Sequence, residues 1–256
     1  FEGSETNIDL KDTSSWSLSS TPYGVEGSQF GIDDLRTGFS RAKLAWYNID
    51  PIFYTRQRPS EIDDNELSKN ETRRIFIEEI FPQQDIIEGQ SRIQNTFDLS
   101  FFPKEKGPYN NNLNQDFLQN SKINWAGITR DLSSTNFEKA NVEFIQFWLL
   151  DTFSENDSSS NNLGNLYLNL GNISEDILKD GKKLYENGLP TVNSQEIVNE
   201  SNWGKTPATQ SLIYSFDSDE NNRVLQDLGY DGLNDIQEID KYNNGSSNDP
   251  AGDNYQ

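Results

Sequence analysis

The sequence contains no cysteine, no histidine and no methionine, and its 42 acidic residues outnumber 21 basic ones. Without cysteine, the chain has no disulfide, thiolate nucleophile or cysteine-ligated metal. Without histidine, it lacks the commonest general base and cannot form a Ser-His-Asp triad. The formal net charge of −21 repels the phosphates of nucleic acids and anionic lipids, so we expect neither as a partner.

Long apolar runs are also missing. No stretch approaches the roughly 20 apolar residues that a membrane-spanning helix requires, so we expect that this chain is not itself inserted in a membrane. A secretory signal peptide is not recognisable, and the first residue is Phe1 rather than Met. We therefore interpret the chain as a segment of a longer protein.

Aromatic residues are abundant at 12%, although hydrophobic residues as a whole make up 32%. A core built from few but large side chains favours β-structure. The two-residue alternation is strongest at 94–101, where Phe97, Leu99 and Phe101 alternate with polar residues, which predicts a half-buried strand. Further strands are predicted at 125–132, 141–151 and 165–171.

These short, mostly one-sided strands predict a mainly β fold, namely an antiparallel β-sandwich. We expect this sandwich to span residues 1–188, with a helical and loop insertion at about 24–92. Helices are predicted at 60–80 and 174–188. Residues 189–256 are polar and irregular in pattern.

One stretch of the polar segment, "DLGYDGLNDIQE" at 227–238, has the spacing of an EF-hand calcium loop. A helix is predicted to follow it. The pattern departs from an EF-hand at position 3, where Gly229 has no side-chain oxygen and a water would substitute. The alternative is a solvated acidic turn. The candidate calcium ligands are Asp227, Asp231, Asp235 and Glu238, and Gly232 is the glycine at position 6.

Tryptophans are the candidate residues for binding a sugar by stacking. Trp16, Trp46 and Trp203 lie in loop-like surroundings, whereas Trp148 lies in the most apolar predicted strand and is expected in the core. Packing in the core or at a domain interface is the alternative for the first three.

The stretch "SRAKLAWYNIDPIFYTRQR" at 40–58 is basic and aromatic in an otherwise acidic chain. One interpretation is a docking surface for a partner protein. The other, which we favour, is that its aromatic residues pack against the sandwich while its cations pair with nearby acids. Ala42, Ala45 and Trp46 in this stretch have the spacing of one helical face.

Several long strings of this sequence resemble the SprA (Sov) family. This family comprises the very large outer-membrane translocon of type IX secretion and gliding motility in Bacteroidota. The resemblance covers nearly the whole chain in the same order. The strings are "GFSRAKLAWYNIDPIFY", "EEIFPQQD", "TFDLSFFPKEKGPYN", "WAGITRDL", "NVEFIQFWLLD", "GNLYLNLGNISEDILKDG" and "ENGLP".

The resemblance implies that the chain is a soluble part of a giant β-barrel that exports folded cargo proteins across the outer membrane. The implied partners are the rest of the translocon, associated secretion-system proteins and the cargo. An exposed position at the outer membrane, at the cell surface rather than in the periplasm, is our expectation. We expect a mechanical, non-enzymatic role in shaping or capping the conduit.

A second resemblance concerns "FEG" at the start, "WAGI", "NVEFIQFWL" and "GNLYLNL". These strings are similar to jelly-roll carbohydrate-binding modules of the galactose-binding type, which often hold a structural calcium near the first strand. Glu2 is a candidate ligand there. This resemblance implies a cell-surface carbohydrate-binding module as the alternative function. A glycoside hydrolase using acid doublets such as Glu78 and Glu79, or Asp33 and Asp34, ranks below both because neighbouring helical side chains diverge.

Overall fold

Two units make up the chain in the computed structural model. The described residues are 10–114, 116–119, 121–132, 136, 146–152, 164–182, 198–208, 229–243 and 248–254. The first unit comprises 1–16, 46–99 and 130–170, and the second comprises 17–45, 100–129 and 171–256. Across the described ranges, no helix has the length and apolar character needed to span a bilayer.

Strands in the described residues pair two by two. They are β1 (Ser17–Leu18), β2 (Ala42–Tyr47), β3 (Ile75–Phe76), β4 (Ile93–Gln94), β5 (Asp98–Lys106), β6 (Ile128–Thr129), β7 (Val198–Glu200) and β8 (Lys205–Pro207). β1 pairs with β6, β2 with β5, β3 with β4 and β7 with β8. The β1–β6, β3–β4 and β7–β8 pairs are antiparallel. The larger sandwich stays a prediction, as do the boundaries proposed for it.

Helices in the described residues are short. They are α1 (Asp64–Ser68), α2 (Ile77–Ile80), α3 (Asp116–Gln119) and α4 (Asp235–Tyr242). The single helix predicted at 60–80 is therefore wrong, because β3 separates α1 from α2. The cap of α1 is Asp63, whose Oδ1 accepts a 2.9 Å hydrogen bond from the Glu66 N–H.

Local spacing is overridden by strand pairing at β2. This strand includes Ala42, Ala45 and Trp46, although their spacing suits a helix. Pairing with β5 provides hydrogen-bond partners for the backbone of the strand. The strand predicted at 125–132 is confirmed in part by β6. Trp125 just before it forms a parallel bridge with Arg41.

The inward face predicted for the strand at 94–101 is wrong at two of its three apolar positions, since Phe97 is half-buried as predicted but Leu99 and Phe101 are exposed. Leu99 and Phe101 are 46% and 43% exposed, whereas Asp98 and Ser100 are half-buried. The strand also continues to Lys106, through residues whose composition suggested a loop. The hydroxyl of Thr96 donates to Asp98 Oδ2 over 2.8 Å, while burial raises the pKa of Asp98.

Two predicted strands, 141–151 and 165–171, are irregular where they are described. Within 146–152 and 164–170 no residue belongs to a strand pair. Trp148, predicted to be in the core, is 66% exposed and makes an edge-on contact with Phe81, with the ring centroids 5.8 Å apart. The other exposed apolar residues here are Phe147, Leu149, Leu150, Leu166, Tyr167, Leu168 and Leu170.

The helix predicted from Ser174 is wrong over its described part, 174–182. Asp176 turns the chain by accepting hydrogen bonds from the backbone N–H groups of Asp180 and Gly181, at 3.1 and 2.9 Å. Lys179 and Gly181 have φ of 54° and 81°, which a right-handed helix does not permit. The turn instead buries Leu178.

The core of the second unit is small and aromatic. It consists of Tyr109, Ile177, Leu178, Trp203 and Ala251. The buried side chain of Arg41 lies beside this core and contacts three segments of the chain. Its guanidinium donates to the carbonyl oxygens of Ser19 and Ile177, at 2.7 and 3.3 Å, and lies 4.7 Å from the Trp125 ring centroid.

Candidate metal centre

Helix α4 begins where the calcium-loop pattern requires a helix, which confirms the helix predicted after the loop. Asn234 caps it, because its side-chain oxygen accepts from the Gln237 N–H at 3.1 Å. In return, Gln237 Oε1 accepts a 3.2 Å hydrogen bond from the Asn234 N–H. The cap fixes Asp235 and Glu238 in the first turn. Carboxylates are favoured there because the helix dipole is positive at this end.

The turn before the helix has the geometry expected of the loop. Gly232 has φ of 65°, a left-handed conformation that costs a glycine little. Oδ1 of Asp231 accepts a 3.1 Å hydrogen bond from the Leu233 N–H across this turn. Asp227, the predicted first ligand, lies outside the described residues.

Three buried carboxylates converge behind this turn. Asp231, Glu238 and Asp253 are 1%, 1% and 8% exposed. One oxygen from each lies within 4.8 Å of the others. Asp235, Glu238 and Asp249 form a second such group, so Glu238 belongs to both. The structure thus brings together three predicted ligands with two acids that the loop pattern did not include.

The two additional acids come from the segment 248–254. Ala251 attaches this segment by donating its N–H to Glu238 Oε2 over 3.0 Å, while its carbonyl oxygen accepts from the Tyr109 N–H at 2.6 Å. The Asp253 N–H donates to Asp249 Oδ1 at 3.1 Å. The sequence signal for this arrangement is "DPAGD", since Asp-Pro and Gly-Asp mark a turn. The signal does not reveal which surface the turn contacts.

Aromatic residues close the site on its other side. The Tyr242 hydroxyl donates to the carbonyl oxygen of Trp203, and its oxygen lies 3.4 Å from Asp231 Oδ2. Burial first, and then the charges of Asp231 and Glu238, raise the pKa of Tyr242 far above its usual value. Tyr242 therefore remains a neutral phenol. The Lys205 N–H donates to the Asp231 carbonyl oxygen at 2.6 Å, which ties strand β8 to the loop.

The donor set fits a hard divalent cation. All donors are carboxylate oxygens, the ligands that calcium prefers, and Cys and His are absent from the chain. Gly229 adds a second observation, because a Cβ at this position would overlap Oδ2 and Cγ of Asp253. The carboxylate of Asp253 thus occupies the space beside loop position 3. Asp231, Glu238 and Asp253 are the residues that would hold the ion.

The three tryptophans predicted as stacking residues are occupied by packing. Trp203 is 2% exposed, so its faces are not accessible to a sugar. Trp16 donates its indole N–H to the Leu10 carbonyl oxygen at 3.0 Å and stacks on Phe97 with centroids 5.5 Å apart. Trp46 is half-buried and donates to the Thr13 carbonyl oxygen at 3.3 Å. Trp16 and Trp46 belong to the first unit, whereas Trp203 belongs to the second.

Three of the four cations of the basic stretch at 40–58 are paired or buried, whereas Arg56 is exposed. Arg41 is 2% exposed in the core of the second unit. Lys43 pairs with Glu105 at 3.0 Å, and Arg58 pairs with Asp64 at 2.7 Å. This arrangement agrees with the packing interpretation of the stretch.

The acid doublets of the hydrolase alternative bind different partners. Glu78 pairs with Arg92, and Glu79 pairs with Arg73 at 2.9 Å. Asp34 pairs with Arg36 at 2.6 Å. Oδ1 of Asp33 accepts from the Asn202 N–H at 2.7 Å.

Comparison with known proteins adds no relative. No protein-family model matches the chain, and a search of curated proteins found no match. Membership of the SprA family therefore remains a prediction from the strings quoted above.

Proposed function

We propose that this chain is a non-enzymatic, soluble module of an outer-membrane protein-export channel of the type IX secretion class, with a structural calcium site at Asp231, Glu238 and Asp253. The channel assignment is supported by the long strings that resemble the SprA family in the same order along the chain. Its role is to shape or cap the conduit through which folded cargo passes. Its partners are the rest of the translocon, associated secretion proteins and cargo, at the cell surface.

The calcium assignment is carried by one observation, the burial of three carboxylates within 4.8 Å of one another. Like charges this close repel, and burial removes the water that would screen them. A divalent cation between the carboxylates attracts each of them, which offsets their mutual repulsion, and the carboxylate oxygens serve as its ligands. The ion fixes a turn, a helix start and the segment 248–254 in one arrangement, which is a structural rather than a catalytic task.

Terbium luminescence tests the site directly, because the Tyr242 hydroxyl lies 3.4 Å from Asp231 Oδ2 and the phenol absorbs light that it can transfer to a bound lanthanide. We expect the purified chain to sensitise terbium emission and calcium to compete, with a Kd of about 10⁻⁴ to 10⁻³ M as in extracellular modules. Asp231→Ala should lower thermal stability more with calcium than in chelator, where it loses only the hydrogen bonds from Leu233 and Tyr242. An equal loss in chelator would contradict the assignment.

Asp180→Asn is the matched control, since Asp180 is also a buried acid of the second unit but lies outside both acid groups. This variant should bind terbium as the wild type does. Emission lost equally in both variants would show that general acidity, and not this site, attracts the ion.

The channel assignment has its own tests. The complete reading frame should encode dozens of alternating strands of about ten residues each beside this segment. Photo-crosslinking from an exposed position such as Tyr23 in cells should capture other translocon components or cargo. A reading frame without such strands would refute the assignment, and hydrolysis of a polysaccharide by the purified chain would refute its non-enzymatic character.

A further inference from the structure

Two segments of the first unit, 147–150 and 165–170, expose apolar side chains to solvent. The chain runs through both segments without a turn, bend or helix. Side chains at successive positions of such an extended segment point to opposite faces. Because Trp148 and Leu149 are 66% and 68% exposed, apolar groups occupy both faces of the first segment. The other exposed apolar side chains of the two segments are Phe147, Leu150, Leu166, Tyr167, Leu168 and Leu170.

The backbone of these two segments is also available for pairing. No backbone hydrogen bond joins 147–150 or 165–170 to another residue that the structure describes. A partner that covers apolar side chains on both faces also buries the backbone between them, and buried backbone groups require hydrogen-bond partners. The occupant must therefore supply backbone donors and acceptors as well as apolar surface.

A β-strand is the occupant that meets both requirements. The hydrocarbon of a bilayer offers no donor or acceptor, and the backbone groups of a helix are already bonded within the helix. A second copy of this chain could supply a strand, but it carries the same net charge of −21, so the two copies repel each other. Charge complementarity therefore favours a different protein, with cationic side chains flanking its strand.

We infer that the segments 147–150 and 165–170 form a docking surface for an edge β-strand of a cationic partner protein. Main-chain hydrogen bonds to that strand provide affinity, and the partner's sheet covers the apolar faces. A run of consecutive apolar residues, as at 147–150, is typical of a strand that is buried on both sides. The inference goes beyond the proposed function and requires neither the channel nor the calcium site.

Hydrogen–deuterium exchange on the full chain tests the inference with defined peptides. The probe is a peptide of about nine alternating threonine and valine residues with lysine at both ends, which is within the usual length of a strand. At millimolar concentration, this peptide should slow exchange at 147–150 and 165–170 by about ten-fold. The same peptide with glutamate at both ends should bind about ten-fold more weakly, because the chain repels it. A central proline, which lacks an N–H, should also weaken binding of the lysine-ended peptide.

Leu149→Lys is the test variant and Ile87→Lys is its matched control. Both changes replace an exposed apolar side chain of the first unit with a cation, but Ile87 lies outside the docking surface. Leu149→Lys should weaken binding of the lysine-ended peptide by about ten-fold, whereas Ile87→Lys should leave it unchanged. Equal losses in both variants, or no slowing of exchange by the lysine-ended peptide, would overturn the inference. Sedimentation of the chain alone as a dimer with these amides protected would overturn it as well, because the occupant would then be a second copy.

Discussion

Glu238→Gln is the most informative single change, because Glu238 belongs to both acid groups. Glutamine has nearly the same shape, and its amide oxygen can still accept the Ala251 N–H. The substitution therefore removes a charge while it keeps the packing and the backbone contact. Its effect on the free energy of unfolding should change sign with calcium.

Without calcium, repulsion between the carboxylates determines how Glu238→Gln changes the free energy of unfolding. Two ionised carboxylates at the 4.8 Å limit of the group repel by about 3 kcal/mol at an effective dielectric constant of 20. We therefore expect Glu238→Gln to be more stable than the wild type by about 1 to 3 kcal/mol in chelator at neutral pH.

With calcium, the binding equilibrium determines how much the ion stabilises the folded protein. At 10 mM calcium, a Kd of about 10⁻⁴ M stabilises the folded protein by about 2.7 kcal/mol, and a Kd of about 10⁻³ M by about 1.4 kcal/mol. The wild type should gain this stability, whereas the variant should gain little. Thermal unfolding followed by circular dichroism, with and without calcium, measures all four values. A variant that is less stable than the wild type in chelator, or that gains equally from calcium, would refute the reasoning.

Two further substitutions test other parts of the second unit. Asp180 is 7% exposed and no hydrogen bond reaches its Oδ2, while burial raises its pKa. The folded state therefore holds this proton more tightly than the unfolded state, so the wild type should lose stability as pH rises from about 4 through the raised pKa. Asp180→Asn should remove that loss and be about 1 kcal/mol more stable at pH 7 in denaturant titrations. Gly204→Ala should destabilise by about 1 to 3 kcal/mol, because its Cβ would overlap the Asp231 carbonyl oxygen, whereas Gly31→Ala, with open space around it, should not. An unchanged midpoint for Gly204→Ala would contradict the close approach.

The parts of the fold that the sequence predicted well are those that local chemistry determines. The helix at Asp235–Tyr242 and the turn at Gly232 were both predictable, because a capping side chain and a glycine act on neighbouring residues. The same local reasoning failed at Ser174, where Asp176 bonds backbone groups that a helix would use otherwise.

Pairing and burial were less predictable, since they depend on distant residues. The alternation of Leu99 and Phe101 indicated a strand correctly but assigned the wrong face, because periodicity does not say which side another segment covers. The spacing of Ala42, Ala45 and Trp46 suited a helix, yet β5 was available as a partner. In each case a tertiary contact decided between local alternatives.

The candidate metal centre depends both on local spacing and on contacts between distant residues, so the sequence predicted only some of its acids. Asp231, Asp235 and Glu238 follow from a local spacing, whereas Asp253 enters through a chain reversal that places it against Gly229. The missing oxygen at loop position 3 therefore has a physical explanation. A side chain at that position and the carboxylate of Asp253 compete for one volume, so a glycine in the loop and an acid in the later segment are two halves of the same requirement.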